Sequence, residues 1–120
     1  EKRVAAILLN EKIEVKTERG KWSDTKNIAI ERSCRGKPSG LASTEASYWL
    51  HILEKDGIEI CSMLFRTDVL KQLLNSLENP QLVMGGDDNA SELVLVSLLE
   101  LVNLMIKINV KELVDGNGDF

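Results

Sequence analysis

Residues 12–17 read Lys-Ile-Glu-Val-Lys-Thr, so polar and apolar side chains alternate along this stretch. An alternation with a period of two predicts a half-buried β-strand, because successive side chains of a strand point to opposite faces. On such a strand Glu14 and Lys16 share one face. An apolar run at residues 4–9 precedes this stretch and is predicted to pair with it as a hairpin.

The rest of the chain predicts an α/β fold. Strands are predicted at residues 27–33, 58–65, 81–84 and 93–96, and helices at residues 42–53, 67–77 and from 98 onward. The polar residues 18–26 predict a mobile loop. The helix at 42–53 has an alternative, because residues 50–53 can instead form a strand that pairs across a turn at Asp56-Gly57. We expect the strand at 58–65 to be buried and Thr67 to cap the helix that follows it.

The composition is that of one globular domain covering residues 1–120. Apolar residues make up 43% of the chain and charged residues 28%, and no uncharged run is long enough to cross a membrane. The formal net charge of −4 argues against coating nucleic acid by bulk charge, so any DNA contact has to be concentrated in one patch. Cys34 and Cys61 are expected to be free thiols in a reducing, cytoplasmic setting.

Glu14 and Lys16 are the leading candidates for chemistry. A carboxylate and an ammonium on one strand face suit metal-assisted hydrolysis. Glu14 and the backbone carbonyl of Val15 would ligate Mg²⁺ or Mn²⁺, while Lys16 would orient the attacking water. The same triplet also arises by chance on a solvated strand face, where it forms a weak ion pair. Glu31 is a second-tier candidate, on the expectation that the strand at 27–33 lies beside residues 12–17.

A basic loop at residues 35–40, which can be neither strand nor helix, is the candidate nucleic-acid contact. Arginine and lysine neutralise phosphates, and Gly36 and Gly40 carry no side chain to hold DNA away from their backbone amides. An ordinary basic surface turn has the same composition. The residues predicted to contact nucleic acid are Arg35, Gly36, Lys37, Ser39 and Tyr48. For Tyr48, packing is the simpler explanation.

Together these segments resemble the PD-(D/E)xK nuclease superfamily in its phage-type and bacterial forms. The likeness runs over about residues 4–102. Beyond the Glu-x-Lys triplet, it rests on Ser-Cys-Arg-Gly-Lys-Pro-Ser-Gly at residues 33–40, Thr-Glu-Ala-Ser-Tyr-Trp at 44–49 and Gly-Gly-Asp-Asp-Asn-Ala-Ser at 85–91. The resemblance implies a restriction-endonuclease-like core, with a mixed central β-sheet flanked by helices. It also implies Mg²⁺- or Mn²⁺-dependent cleavage of DNA by a cytoplasmic or virus-encoded intracellular protein.

The chain departs from the superfamily at Ala6, where the resemblance implies a metal-binding aspartate. Alanine has no oxygen to give a metal, so metal binding and catalysis are both expected to be weak. Two explanations stay open: an engineered inactivating substitution, and a natural chain that has lost cleavage and kept binding. The survival of Glu14, Lys16 and the basic loop favours the first. Superfamily members often carry a further glutamate on an N-terminal helix, whereas this sequence begins almost at the first predicted strand.

Two functions follow as expectations. The first is a metal-dependent DNA endonuclease impaired at Ala6, and the second is a non-catalytic module of the same fold that binds DNA or a protein. An acidic α/β interaction domain, with an accidental Glu-x-Lys, is a third reading. A homodimer is a further expectation, because many nucleases of the superfamily act as dimers. The apolar residues 98–108 can supply its face or can equally close the core.

Overall fold

The strand predicted from the alternation of residues 12–17 is β1, which spans Ile13–Arg19. It belongs to a three-stranded sheet in the computed structural model, which describes residues 11–107. β4 (Tyr48–Lys55) runs parallel to β1 and antiparallel to β5 (Ile58–Arg66). The strand prediction is confirmed, whereas its predicted hairpin partner at residues 4–9 lies outside the described residues.

A second sheet contains four antiparallel strands in the order β3-β2-β7-β6. These strands are β2 (Asn27–Cys34), β3 (Lys37–Pro38), β6 (Gln81–Gly85) and β7 (Ser91–Ser97). The α/β class is therefore confirmed, but the described residues form one mixed and one antiparallel sheet where a single mixed sheet was predicted. β1 and β2 are joined through a side chain, because the Glu18 carboxylate accepts a hydrogen bond from the backbone N–H of Ala29.

The predicted mobile loop at residues 18–26 is instead ordered structure. β1 continues to Arg19, and a short helix, α1, follows at Lys21–Thr25. The indole Nε1–H of Trp22 donates to the backbone carbonyl of Glu54 at 2.8 Å, and the N–H of Gly20 donates to the same oxygen at 3.0 Å. The loop prediction rested on the turn-forming residues of this segment. It is wrong because Trp22 anchors the segment to the end of β4.

The predicted helix at residues 42–53 is wrong, and its alternative is confirmed. A single 3-10 turn (Gly40–Ala42) precedes β4, which pairs with β5 across a tight turn in which Asp56 and Gly57 both have positive φ. Trp49 and Leu53 are buried on one face of β4 and lie four residues apart. A spacing of four fits both a helix and alternate positions of a strand, so this pattern could not separate the two.

β5 is a strand as predicted, but it is largely exposed. Phe65 is buried, whereas Ile58 is 63% exposed, Ile60 56% and Leu64 43%. The predicted burial is wrong because β5 is an edge strand of its sheet among the described residues. The side chains of Ile58, Ile60 and Leu64 on β5 are also left open by these residues. Cys61 on this strand is exposed and Cys34 is partly buried. Both are free thiols, as predicted.

Two longer helices pack against the buried faces of the two sheets. α2 (Thr67–Asn75) and α3 (Leu98–Lys107) are both confirmed as helices. The predicted cap at Thr67 is wrong: Thr67 is the first helical residue, Arg66 occupies the capping position, and no side chain caps the helix there. No helix among residues 11–107 is long and apolar enough to cross a membrane.

The hydrophobic core is shared by both sheets and both longer helices. Its buried members are Ile28, Ile30, Leu41, Trp49, Leu53, Phe65, Leu70, Leu73, Leu74, Val96 and Leu101. Each such side chain contributes roughly 1.5–3 kcal/mol relative to its exposed state. The core therefore fixes β2 relative to β4, while β1 is held by its pairing with β4, and the candidate site lies where these strands meet.

Candidate functional site

A cleft of about 220 Å³ opens between β1 and β2. Its lining residues come from both sheets and are Lys16, Thr17, Glu18, Ala29, Glu31, Trp49, His51 and Leu93. The structure thus brings together Lys16 and Glu31, two of the residues predicted to form the site. The expectation that the strand at 27–33 lies beside residues 12–17 is wrong, because β2 and β1 belong to different sheets. Lys16 and Glu31 therefore line the cleft from different sheets.

Glu14 and Lys16 share a face of β1, as their spacing predicts. Their partners on the parallel strand β4 are Trp49 and His51, respectively. Glu14 is half-buried and Lys16 is exposed. Glu14 therefore lies on the same side of β1 as Lys16, two residues closer to the start of the strand. Lys16 lines the cleft, whereas Glu14 is not among its lining residues.

Glu18 continues this face of β1 and contacts both neighbouring strands. Its Oε1 accepts the backbone N–H of Ala29 and lies 3.2 Å from Nε2 of His51. His51 is 2% exposed, and the Glu18 side chain is 19% exposed. The carboxylate is thus held on two sides while part of it still reaches the cleft.

The proton positions of His51 follow from its other neighbour. The indole Nε1–H of Trp49 points at Nδ1 of His51 at a distance of 3.1 Å. An indole nitrogen is a donor and never an acceptor, so Nδ1 has to accept this hydrogen bond. The proton of the neutral imidazole is then on Nε2, which donates to Glu18. Trp49, His51 and Glu18 form one directed chain of hydrogen bonds that ends at the cleft.

Glu31 is positioned by a close approach of the loop after β3. Gly40 has a φ of +53°, and a β-carbon placed on it would lie 2.7 Å from the β-carbon of Glu31. Glycine is required at position 40 because it packs against the backbone of β2. The missing side chain of Gly40 thus serves packing against β2, and a contact between its backbone and DNA stays a prediction.

The described residues offer few ligands for a metal ion. Within residues 11–107, no three His, Cys, Asp or Glu side chains lie close enough to hold a metal together. Mg²⁺ is commonly held by one or two carboxylates, with waters and substrate phosphate completing its octahedron. Glu14 and the carbonyl of Val15 offer oxygen atoms of the kind that Mg²⁺ prefers, and their binding of a metal stays a prediction. Ala6 lies outside the described residues.

The predicted basic loop forms a tight hairpin between β2 and β3. Arg35 and Gly36 both have positive φ, at 51° and 78°, and Lys37 begins the two-residue strand β3. The prediction that residues 35–40 contain no strand or helix is wrong, because β3 and the first residue of a 3-10 turn fall within them. Lys37 and Gly36 are exposed, while the hydroxyl of Ser39 is buried.

The positive charge of this region is partly offset by carboxylates. Arg35 lies 3.5 Å from Asp88, and both side chains are largely exposed. Arg32 donates to Glu92 through Nε at 2.8 Å across the β2–β7 pair. Tyr48 is not part of this hairpin, since it lines a different pocket from Gly36. The predicted nucleic-acid contacts therefore form two separate groups.

Glu18 and His51 are the site residues that sequence reasoning missed. The predicted strand ended at residue 17, one residue before Glu18, although the alternation of charged residues continues to it. His51 was hidden by the helical reading of its segment. A strand with a period of two places His51 on the same face as Trp49 and Leu53. This alternation is the sequence signal that could have identified His51 as a site residue.

Comparison of the chain with protein-family models, with curated proteins and with solved structures finds no match.

Proposed function

We propose that this chain is a metal-dependent DNA endonuclease whose Glu14 and Lys16 act at the reacting phosphodiester, and that Ala6 leaves it impaired. The observation that carries the proposal is that Lys16, on the same face of β1 as Glu14, lines one cleft together with Glu31. An ammonium beside carboxylates at an open cleft suits phosphodiester hydrolysis, in which negative charge develops on the phosphate oxygens.

The roles of the residues follow from their charges. Lys16 binds a phosphate oxygen and stabilises the negative charge of the transition state. Glu14 and the Val15 carbonyl would hold Mg²⁺ or Mn²⁺, which would supply a Lewis acid there. Glu31 is a second carboxylate lining the cleft, and we assign to it a hydrogen bond to the attacking water. Arg35 and Lys37 supply charge for phosphates farther along the DNA.

A non-catalytic binding module is the second candidate function. It is favoured by Ala6 and by the lack of a three-ligand group among residues 11–107. In this case Lys16, Arg35 and Lys37 would hold phosphates without turnover. Binding would then weaken steeply with salt, because each phosphate contact releases a counterion.

The test is restoration of the missing ligand. We expect Ala6→Asp to cut DNA in the presence of Mg²⁺ or Mn²⁺, because a second carboxylate strengthens metal binding. Adding Lys16→Ala to Ala6→Asp should reduce the rate about a hundredfold or more, the usual loss on removing one transition-state contact. Cleavage of single- and double-stranded DNA is measured side by side on gels.

The matched control is Lys55→Ala in the Ala6→Asp background. Lys55 is an exposed lysine at the end of β4 and outside the cleft, so its removal should leave the rate unchanged. Cleavage that survives Lys16→Ala would contradict the assigned site. If Ala6→Asp binds DNA in a salt-dependent way and never cuts it, the binding module is the better description.

A further inference from the structure

The two carboxylate oxygens of Glu18 have different surroundings. Oε1 accepts the backbone N–H of Ala29 and lies 3.2 Å from Nε2 of His51, so both hydrogen bonds of the side chain go to this one atom. Oε2 has no hydrogen-bond partner among residues 11–107, and it is not one of the buried polar atoms that lack a partner there. Because Glu18 lines the cleft and its side chain is 19% exposed, Oε2 is the oxygen left for a ligand in the cleft.

Glu18 is held more firmly than Glu31, the other carboxylate that lines the cleft. His51, which donates to Oε1, is 2% exposed, and Trp49 behind it is 1% exposed, so this support is anchored in the core. The carboxylate of Glu31 makes no hydrogen bond or ion pair within the described part of the chain. A group that takes a proton from a reacting water has to be held at a fixed distance from it. Glu18 meets this condition without a rearrangement of its neighbours.

Lys16 lies between two carboxylates on one face of β1. Glu14, Lys16 and Glu18 occupy alternate positions of the strand, with successive α-carbons roughly 7 Å apart. Lys16 forms no ion pair with residues 11–107, so its ammonium is available to a phosphate. The attacking and leaving oxygens of a phosphodiester lie on opposite sides of the phosphorus. A water beside Glu18 and a leaving oxygen towards Glu14 fit this arrangement around a phosphate held by Lys16.

We propose that Glu18 is the general base of the cleft and that His51 is the positioning residue that fixes its carboxylate. This inference rests on the nuclease function proposed above. Oε2 of Glu18 takes a proton from the attacking water, the water oxygen bonds to phosphorus, and the bond from phosphorus to the leaving oxygen breaks. The leaving oxygen takes a proton from solvent, and Glu18 returns its proton to solvent. Glu31 keeps its hydrogen bond to the other hydrogen of the water.

The neutral ring of His51 suits this role. Its Nδ1 accepts the indole N–H of Trp49 at 3.1 Å, so Nε2 carries the ring proton and donates it to Glu18. The carboxylate gains a fixed hydrogen bond without a full positive charge from the ring, and a full charge would oppose its protonation. The charged groups that line the cleft with Glu18 are Lys16 and Glu31, which have opposite signs.

Glu18→Gln removes the base and keeps its support. Both internal hydrogen bonds go to Oε1, so the carbonyl oxygen of glutamine can accept them while its NH₂ group replaces Oε2. The thermal unfolding midpoint should therefore change little. In the Ala6→Asp background the cleavage rate should fall about a hundredfold or more, the scale of general acid–base catalysis. DNA affinity should stay equal or rise, because one negative charge leaves the cleft.

The positioning role is tested by His51→Leu and His51→Gln in the same background. Leucine removes the hydrogen bond to Glu18 and should slow cleavage about tenfold, the effect of roughly one lost hydrogen bond. Glutamine should restore most of the rate, since its amide can accept from Trp49 and donate to Glu18. Glu59→Gln is the matched control. Glu59 is an exposed glutamate of β5 outside the cleft, so its replacement should leave cleavage rate and DNA affinity unchanged.

Single-turnover cleavage and DNA affinity are measured for each variant at a temperature at which circular dichroism shows that it is folded. Slow cleavage by Glu18→Gln with undiminished DNA affinity supports the assignment. Slow cleavage together with weaker DNA binding and a lower unfolding midpoint would make Glu18 a structural residue and overturn it. Glu31→Gln should slow cleavage less than Glu18→Gln, and the reverse order would assign the base to Glu31.

The Ala6→Asp protein without further changes separates this inference from the nuclease function. If Ala6→Asp cuts DNA and Glu18→Gln leaves its rate unchanged, the nuclease function stands and Glu18 is not its base. If Ala6→Asp does not cut DNA, the nuclease function fails and the assignment of Glu18 fails with it.

Discussion

At the level of single residues, Glu18 connects three strands. It belongs to β1, accepts a hydrogen bond from Ala29 on β2 and contacts His51 on β4. His51 in turn accepts the indole N–H of Trp49, so a buried donor depends on the imidazole. This chain of contacts keeps the wall of the cleft in place next to Lys16.

We predict that His51→Leu lowers the free energy of unfolding by about 1–3 kcal/mol, because it leaves the buried indole N–H of Trp49 without an acceptor. His51→Gln should lose less, since its amide can accept from Trp49 and donate to Glu18. Urea denaturation measures both variants. If His51→Leu has the same free energy of unfolding as the original protein, the hydrogen bonds of His51 make no net contribution to stability.

At the level of elements, α3 carries apolar side chains on two faces. Leu101 is 1% exposed and packs in the core, whereas Leu99 is 72% exposed and Ile106 78%. The predicted apolar segment from residue 98 therefore closes the core with one face, and its other face is open among the described residues. The homodimer expected from this segment stays a prediction for that outer face.

We predict that Leu101→Ala lowers the free energy of unfolding by about 2–5 kcal/mol, as a large-to-small change in a packed core does. Leu99→Ala is the matched control on the same helix and should change it by less than about 0.5 kcal/mol. Denaturation at two protein concentrations measures both. A large loss at Leu99 that depends on concentration would mean that the outer face of α3 is buried between two copies.

At the level of the whole molecule, the two sheets share one core. Ile28 and Val96 of the antiparallel sheet and Trp49 and Phe65 of the mixed sheet belong to the same buried cluster. Trp22 adds a second link, because α1 joins the sheets in sequence and its indole donates to Glu54 of β4. Neither sheet can unfold without exposing apolar side chains of the other.

We therefore predict a single cooperative unfolding transition. Tryptophan fluorescence reports on Trp22 and Trp49, and far-ultraviolet circular dichroism reports on the helices and strands of the whole chain. The two signals should give the same midpoint in urea. Separate midpoints would mean that the sheets unfold independently and that residues 1–120 do not behave as one domain.

Local patterns in the sequence determined much of this protein. The alternation at β1, the strands β2, β6 and β7, the apolar stripe of α2 and the shared face of Glu14 and Lys16 all follow from side-chain periodicity, which depends on near neighbours in the chain. The tertiary structure alone decided the rest. Trp49 and Leu53 fit a helix as well as a strand, and pairing with β1, more than thirty residues earlier in the chain, selected the strand. The cleft and the chain of hydrogen bonds from Trp49 to Glu18 join residues from distant segments, and side-chain periodicity contains no information about which distant segments meet.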